Sequence, residues 1–275
     1  MFKIAFLGDL TVDIYKDLKE VRLGGASLNQ AIWTKRLKQQ STILGAVGTD
    51  WFGRKYFKFF QQKKIKHLVK TVSGKTSQIE ITLNKQGERF FGNWEPGVLK
   101  KYHLTREEKV FLKTQDAVCL PVYFPTRHLL TELTQSNKAY ESYQTESLLV
   151  ADFDDLSHFS KKTDFLEKHL PLLNLLFLGL DKTNDKKLIN KIKKFSQKYQ
   201  KIIVVTLNQE GSVAFDKGKP IWQKAQKVKV VDSTGGGDAF LVGFLVEFLK
   251  TRNLQKALAA GTEIASLAIS RLGAY

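Results

Sequence analysis

The chain has 275 residues, 43% of them hydrophobic and 26% charged, which is enough to bury a substantial core. One cysteine, Cys119, excludes an intrachain disulfide, and the apolar runs fall short of the roughly 20 residues of a membrane span, so we expect a cytoplasmic protein without a membrane partner. The net charge of +17 raises the question of nucleic-acid binding. Because the basic residues are scattered, we expect a solvated surface and no nucleic-acid partner.

Short apolar runs recur along the chain and predict strands that are buried on both faces of a sheet. They cover residues 3–7, 42–47, 117–122, 148–153, 175–178 and 202–207. Helical patterns lie between many of them, for example at 28–37 and 184–199. This alternation predicts an α/β fold with a doubly wound, mostly parallel sheet, in a single domain over residues 1–275.

Two segments, at about 12–23 and 71–93, break this rhythm because apolar and polar residues alternate in them. The second segment turns at residues 84–87, which is a hairpin signal. We expect the two segments to form a small β-sheet beside the main one. Two interpretations stay open: the strands are surface hairpins without a role, or they form a lid that excludes water from a bound ligand.

Three consecutive glycines mark the segment with the clearest chemical signal. A short β-like run ends at Asp232, Gly235, Gly236 and Gly237 follow, and a strongly apolar helix is predicted to begin near Asp238. Unpaired N–H groups at a helix start attract phosphate oxygens, and glycines let an anion approach the backbone. No Lys-Ser or Lys-Thr follows the glycines, so this is not a Walker A loop.

Asp238 has two interpretations at this position. An acid in the first turn of a helix is commonly a cap. At the edge of an anion-binding turn it can instead take the proton from an attacking hydroxyl while the N–H groups hold a phosphoryl group. The three glycines favour the second interpretation.

The segment at 232–240 resembles the C-terminal signature of the PfkB (ribokinase-like) carbohydrate kinases, with Gly236 where that family commonly has Ala. Residues 24–31 and 45–53 resemble the N-terminal signature of the same family. The resemblance extends over nearly the whole chain. It implies a ribokinase-like fold and an ATP- and Mg²⁺-dependent kinase that transfers the γ-phosphate to a sugar hydroxyl.

The family's residue roles carry over to matching positions of this chain. Asp238 is then the catalytic base, and Gly235, Gly236 and Gly237 form the anion hole. Sugar hydroxyls are expected to contact Asp9, Asp13, Gly25 and Asn29. The nucleotide is expected to contact Thr206 and Gly211 together with Gly235 and Gly237, in a loop where Asn208 replaces the usual first glycine.

The metal-binding region departs from the family pattern. Many members have Asn-x-x-Glu where this chain has Gly179 and Lys182, so we assign no protein ligand to Mg²⁺ and name Asp181 as a substitute that acts through water. The histidines, at 67, 103, 128, 158 and 169, show no metal-ligand spacing, and we therefore expect no structural zinc site.

The loop at 89–98 and residues 104–108 resemble the fructoselysine 6-kinase branch of the family. This narrower resemblance implies a fructosamine acceptor, with Arg89, Trp94 and Glu95 as further substrate contacts. Fructose, ribose, a nucleoside and 2-keto-3-deoxygluconate remain alternative acceptors. A non-catalytic nucleotide-sensing or nucleic-acid-binding protein on this fold is the alternative of another class. The expected partners are the sugar and ATP, with a homodimer through the lid as an option.

Overall fold

In the computed structural model, which describes residues 1–85, 89–134 and 147–275, the strands form two sheets. The order across the larger sheet is β13 (Lys219–Gln223), β12 (Ser212–Asp216), β11 (Ile202–Thr206), β10 (Leu175–Gly179), β9 (Leu148–Asp152), β8 (Ala117–Pro121), β1 (Lys3–Gly8), β4 (Gln40–Gly48) and β5 (Lys66–Val72). The strands from β11 to β5 are parallel, and β12 and β13 pair antiparallel at one edge.

Helices cover both faces of the larger sheet. They are α1 (Ala26–Arg36), α2 (Trp51–Lys63), α3 (Arg106–Leu112), α4 (Arg127–Thr134), α5 (Asp164–His169), α6 (Lys186–Tyr199), α7 (Gly236–Thr251) and α8 (Leu254–Ile269). Ile4 and Phe6 of β1 pack into the core beneath α1, α2, α7 and α8, whereas Ala5 and Leu7 pack into the core beneath α3 to α6. Successive side chains of a strand point to opposite faces, so one continuous apolar run supplies both cores.

The predicted fold class is confirmed, and all six predicted apolar runs form strands. Three strands were not predicted: β5, β12 and β13. The β12–β13 hairpin turns at Lys217 and Gly218, whose φ angles of 51° and 82° are those that a tight two-residue hairpin turn needs. The β-like run before the glycines is not a strand, because the N–H groups of Val231 and Asp232 both donate to the Ile269 carbonyl at the end of α8.

The smaller sheet contains β3 (Glu20–Leu23), β2 (Thr11–Tyr15), β6 (Ser77–Leu83) and β7 (Arg89–Glu95), in that order. β2 and β6 are parallel, and the outer pairs are antiparallel. Residues 71 and 72, which the sequence assigned to this sheet, belong to β5 instead. The predicted turn at 84–87 includes Gln86 and Gly87, which lie outside the described residues. In the described part of the chain, none of the helices is long and apolar enough to cross a membrane.

Candidate active site

The glycine turn before α7 is tightly packed on one side and open on the other. Gly235 caps the helix with a φ of 75°, and a Cβ there would lie 2.5 Å from the Cβ of Ala274, so only glycine fits. A Cβ at Gly237 would meet nothing within 4 Å. The N–H groups of Gly237 and Asp238 donate to none of the described residues. Free N–H groups at an open helix N-terminus are suited to binding an anion.

Two side-chain amides hold the carboxylate of Asp238. Asn29 Nδ2 donates to its Oδ2 at 2.9 Å, and Gln30 Nε2 donates to its Oδ1 at 2.9 Å. Burial raises the pKa of Asp238 to about 7, although both amides and the positive charge of Arg89 act to lower it. A carboxyl group with a pKa near neutrality, next to free N–H groups, is suited to general-base catalysis.

The carbonyl ends of the same two amides are acceptors available to a ligand. Asn29 Oδ1 and Gln30 Oε1 are buried and have no hydrogen-bond partner in the described part of the chain. A buried acceptor without a donor is costly unless a ligand or water supplies one. The sequence indicated Asn29 as a site residue but not Gln30. The only indication of a role for Gln30 was its position beside Asn29.

The two acids near the N-terminus occupy different environments. Asp9 accepts hydrogen bonds from Thr11 Oγ1 at 2.5 Å, from Ala26 N at 2.8 Å and from the Tyr123 hydroxyl. Asp13 makes no hydrogen bond to a described residue, and burial together with the nearby negative charge of Asp9 raises its pKa to about 8. Asp9 therefore holds the site together, whereas Asp13 is open to a ligand.

Gly25 explains how α1 reaches these acids. Its φ is 86°, and a Cβ would lie 2.6 Å from Thr11 N and 2.8 Å from Asp9 O. Glycine therefore lets the start of α1 approach Asp9 closely enough for Ala26 N to donate to the carboxylate. Gly25 therefore contributes to the site through its backbone, which lets α1 approach Asp9.

Two acids at the end of β9, Asp152 and Asp154, were missed by sequence analysis. Burial raises the pKa of Asp152 to about 8, and the negative charges of Asp154 and Asp238 raise it further. Their signal in the sequence was their position at the end of a predicted strand, since ligands of open α/β sheets bind at the carboxyl ends of the strands. They place two further carboxyl groups near Asp238.

The small sheet brings Arg89 and Trp94 to the same site. Arg89 N donates to Ser233 Oγ at 3.1 Å, just before the glycine turn. The positive charge of Arg89 acts to lower the raised pKa values of Asp13, Asp152 and Asp238. Trp94 Nε1 donates to Ser77 Oγ at 3.1 Å, and its ring contacts that of Tyr123 edge to face at 5.5 Å between centroids.

The side chain of Glu95 does not lie on the same side of the sheet as that of Trp94. Glu95 is the next residue on β7 after Trp94, so its side chain points to the opposite face of the small sheet. There it is exposed and lies 3.5 Å from Lys75 Nζ. The strand alternation therefore argues against the direct substrate contact that the sequence suggested.

The predicted nucleotide residues follow β11. Thr206 ends that strand, and Gly211 has a φ of 97° at a point where a Cβ would lie 2.0 Å from the Gln223 carbonyl oxygen. Asn208, in place of the family's glycine, has a φ of 52° and so keeps a left-handed conformation. Their contact with a nucleotide stays a prediction.

Asp181 is engaged in a local turn. Its Oδ1 accepts the N–H groups of Thr183 and Asn184 at 3.0 and 2.6 Å. Lys182, at the position of the family's Glu, forms an ion pair with Glu210 at 2.9 Å. Nothing in this geometry favours Asp181 over Asp152 and Asp154 as the organiser of a cation, and the role of Asp181 remains a prediction.

Comparison with known proteins agrees with this arrangement. The family model described as pfkB family carbohydrate kinase matches residues 17–275. A fructoselysine 6-kinase of Escherichia coli (strain K12) is 29% identical over 278 residues, with 100% of both chains covered. A fructosamine kinase of Bacillus subtilis (strain 168) is 23% identical, with 99% of this chain and 93% of the relative covered.

Solved structures show the same fold. The adenosine kinase of Sinorhizobium meliloti superposes with a TM-score of 0.82 at 17% identity, over 99% of this chain and 95% of its own. At that identity the likeness establishes the ribokinase-like architecture and nothing finer. Because the family model matches nearly the whole chain and the full-length relatives are sugar kinases, the chain belongs to the pfkB family of carbohydrate kinases and is an ATP-dependent sugar kinase.

Proposed function

We propose that this kinase phosphorylates a hydroxyl group of a fructosamine such as fructoselysine. The proposal is supported by two relatives whose names specify such acceptors and which align over nearly the full chain. Fructose, ribose, a nucleoside and 2-keto-3-deoxygluconate are the competing acceptors, because relatives named for several of these also align.

One observation carries the catalytic part of the proposal: Asp238 lies between two amide donors and directly beside free N–H groups at a helix N-terminus. In this arrangement the carboxylate takes the proton from the attacking hydroxyl. The N–H groups of Gly237 and Asp238 hold the transferring phosphoryl group and stabilise its charge. Asp13 and the free carbonyl oxygen of Asn29 accept hydrogen bonds from sugar hydroxyls and so orient the acceptor.

Kinases of this family use ATP and a divalent metal ion, and we propose Mg²⁺ for this chain. The donors fit such an ion, because Asp152 is a buried carboxyl group beside the negative charges of Asp154 and Asp238. Asp152 and Asp154 would hold it through its water shell. When bound, the ion would offset the negative charge of the ATP phosphates.

A cavity beside Asp13 is suited to the amino-acid tail of a fructosamine. Its volume is about 260 Å³, and it is lined by Asp13, Arg22, Leu23, Phe59, Gly273, Ala274 and Tyr275. Asp13 belongs both to this cavity and to the candidate sugar site. We therefore propose that the apolar stem of the tail lies against Leu23 and Phe59, in place of the contact with Glu95 that the sequence suggested.

A coupled assay of ADP release tests the acceptor. The panel contains fructoselysine, glucoselysine, fructose, ribose, adenosine and 2-keto-3-deoxygluconate. We expect the highest kcat/KM with fructoselysine, and we expect Phe59→Ala to lower that value while leaving fructose turnover almost unchanged. A clear preference for free fructose would contradict the acceptor, and an equal loss on both sugars would make Phe59 structural.

We also propose a cytoplasmic location, where ATP is available.

We further propose a homodimer in which the small sheets of two chains pair. Val21 and Phe90 on that sheet are 48% and 55% exposed, and apolar side chains exposed on a sheet favour association. Light scattering after gel filtration would show a dimer that Val21→Lys dissociates. A monomeric wild-type protein would contradict the pairing.

A further inference from the structure

Three potential metal ligands that are not among the residues assigned to phosphate transfer lie close together. His103, His128 and Glu132 each offer one ligand atom, and these atoms all lie within 4.8 Å of one another. His103 Nδ1 is 2.5 Å from Glu132 Oε1, and the two imidazole rings meet edge to face with centroids 5.1 Å apart. Sequence analysis expected no such cluster, because His103 lies 25 or more residues from the other two.

The local structure explains why these three side chains lie close together. His128 and Glu132 are four residues apart on α4, so their side chains lie one turn apart on the same face of the helix. His103 belongs to the segment between a short 3₁₀ helix, Gly97–Lys101, and α3. Tyr102 anchors that segment, since it is buried and its hydroxyl group donates to Glu108 Oε1 at 3.1 Å.

The outer contacts orient the ligands as they do at known metal sites. His128 Nε2 lies 2.7 Å from the Tyr102 carbonyl oxygen, which can only accept, so Nε2 carries the proton and Nδ1 keeps its lone pair. Glu132 Oε2 accepts the N–H of Leu104 at 3.1 Å. A histidine ligand commonly donates its second ring N–H to a carbonyl or carboxylate, and a ligating carboxylate is itself hydrogen-bonded.

We propose that His103, His128 and Glu132 bind one divalent transition-metal ion of the zinc type. Two imidazoles and one carboxylate are a ligand set that Zn²⁺ accepts, with water in the fourth position. The ion takes the place of the proton between His103 Nδ1 and Glu132 Oε1: a neutral His103 binds as the tautomer with its proton on Nε2, and a fully protonated His103 releases one proton to solvent. The bound ion links the segment at 102–104 to α4 and so stabilises the folded chain, independently of the acceptor that the kinase uses.

Zinc binding is measured on the full chain after removal of any affinity tag and dialysis against a chelator. Competition with a chromogenic chelator should show one Zn²⁺ per chain, and ZnCl₂ should raise Tm, because a ligand that binds only the folded state stabilises it. His128→Gln, His103→Asn and Glu132→Gln should each weaken binding by at least about tenfold. His103 is 68% exposed, so His103→Asn leaves the fold intact.

His67→Gln is the matched control, since this half-buried histidine packs on Phe60 outside the cluster and its loss should leave zinc affinity unchanged. Co²⁺ substitution gives a second readout, because its visible spectrum reports the coordination geometry. Equal zinc affinity of the wild type and the His103→Asn/His128→Gln double variant would overturn the proposal. Absence of stoichiometric binding by the wild type would also overturn it.

Discussion

The N-termini of α2 and α7 each carry an aspartate, and the two acids differ in nearly every other respect. Asp50 precedes α2 and accepts from Gly53 N at 2.9 Å, from Thr76 N at 2.8 Å and from Thr76 Oγ1 at 2.6 Å. Burial acts to raise its pKa, but these hydrogen bonds outweigh it and the pKa is lowered. Asp238 lies inside the first turn of α7, and its pKa is raised to about 7.

The hydrogen-bond donors distinguish Asp50, a helix cap, from Asp238, the proposed base. Asp50 accepts the N–H of Gly53 in the first turn of its helix and both donors of Thr76, so its proton is lost at low pH and its function is structural. Asp238 leaves the N–H groups of Gly237 and of its own residue free and is held by amide side chains instead. The donors of the hydrogen bonds that each carboxylate accepts thus indicate its function.

The largest expected effect is on catalysis. Asp238→Asn should lower turnover by about 10²–10⁴, the usual contribution of a positioned base, while nucleotide binding is kept. Asp50→Asn should leave turnover within about twofold, because asparagine also caps helices. Steady-state kinetics of both variants measures the difference. Near wild-type turnover in Asp238→Asn would remove the base role.

Gly237→Val tests the open face of α7. Its Cβ has no neighbour within 4 Å in the protein, so the variant should fold while its side chain obstructs an approaching phosphate. We expect kcat/KM for ATP to fall by about 10–10² and sugar binding to change little. Calorimetry with a non-hydrolysable ATP analogue measures the nucleotide affinity, and an unchanged affinity would argue against a phosphate site here.

The pH dependence is a smaller effect. A base must be ionised, so kcat/KM should rise with pH through about 7, the pKa of Asp238 in the free protein. Asn29→Ala removes a donor that lowers this pKa, so the rising limb should move to higher pH. Profiles of kcat/KM from pH 5 to 9 measure the position of the rising limb in the wild type and in Asn29→Ala. A limb that stays in place would show that another group controls the rate.

The smallest effect is on stability, and its sign should differ between the two acids. The pKa of Asp238 is raised in the folded state, so this group's contribution is fully present below about pH 4 and is lost as the pH rises through about 7. Asp238→Asn should therefore raise the free energy of unfolding at pH 8 and change it little at pH 4.

Asp50→Ala should instead lower the free energy of unfolding by about 1 kcal/mol, because it removes a helix cap. Urea denaturation of both variants at pH 4 and pH 8 gives the comparison. A loss of stability at pH 8 in both variants would mean that Asp238, like Asp50, mainly supports its helix.

The sequence predicted those parts of the molecule that depend on local patterns. Apolar runs predicted the central strands, and the three glycines with Asp238 predicted the anion-binding turn. The strands β12 and β13 were missed because their apolar stretches are short: residues 213–215 in β12, and Ile221 and Trp222 in β13. Gln30, Asp152 and Asp154 were missed because their roles depend on how the fold places α1 and the end of β9 beside Asp238.

Other features depend on how the backbone packs. Val230 and Val231 are typical strand residues, but the backbone of this segment bonds to the end of α8. The direction of Glu95 is set by the register of β7 against β6, which pairs it with Gln78. The His103–His128–Glu132 cluster depends on where the segment before α3 meets α4. Such long-range geometry cannot be read from spacing along the chain.

The buried acids change how the charge of the molecule should be counted. The formal value of +17 treats every aspartate as ionised, yet the pKa values of Asp13 and Asp152 are about 8 and that of Asp238 is about 7. At neutral pH these three carboxyl groups therefore hold protons that the formal count omits. A ligand that favours the ionised carboxylates must displace them, so the heat of binding will depend on the ionisation enthalpy of the buffer.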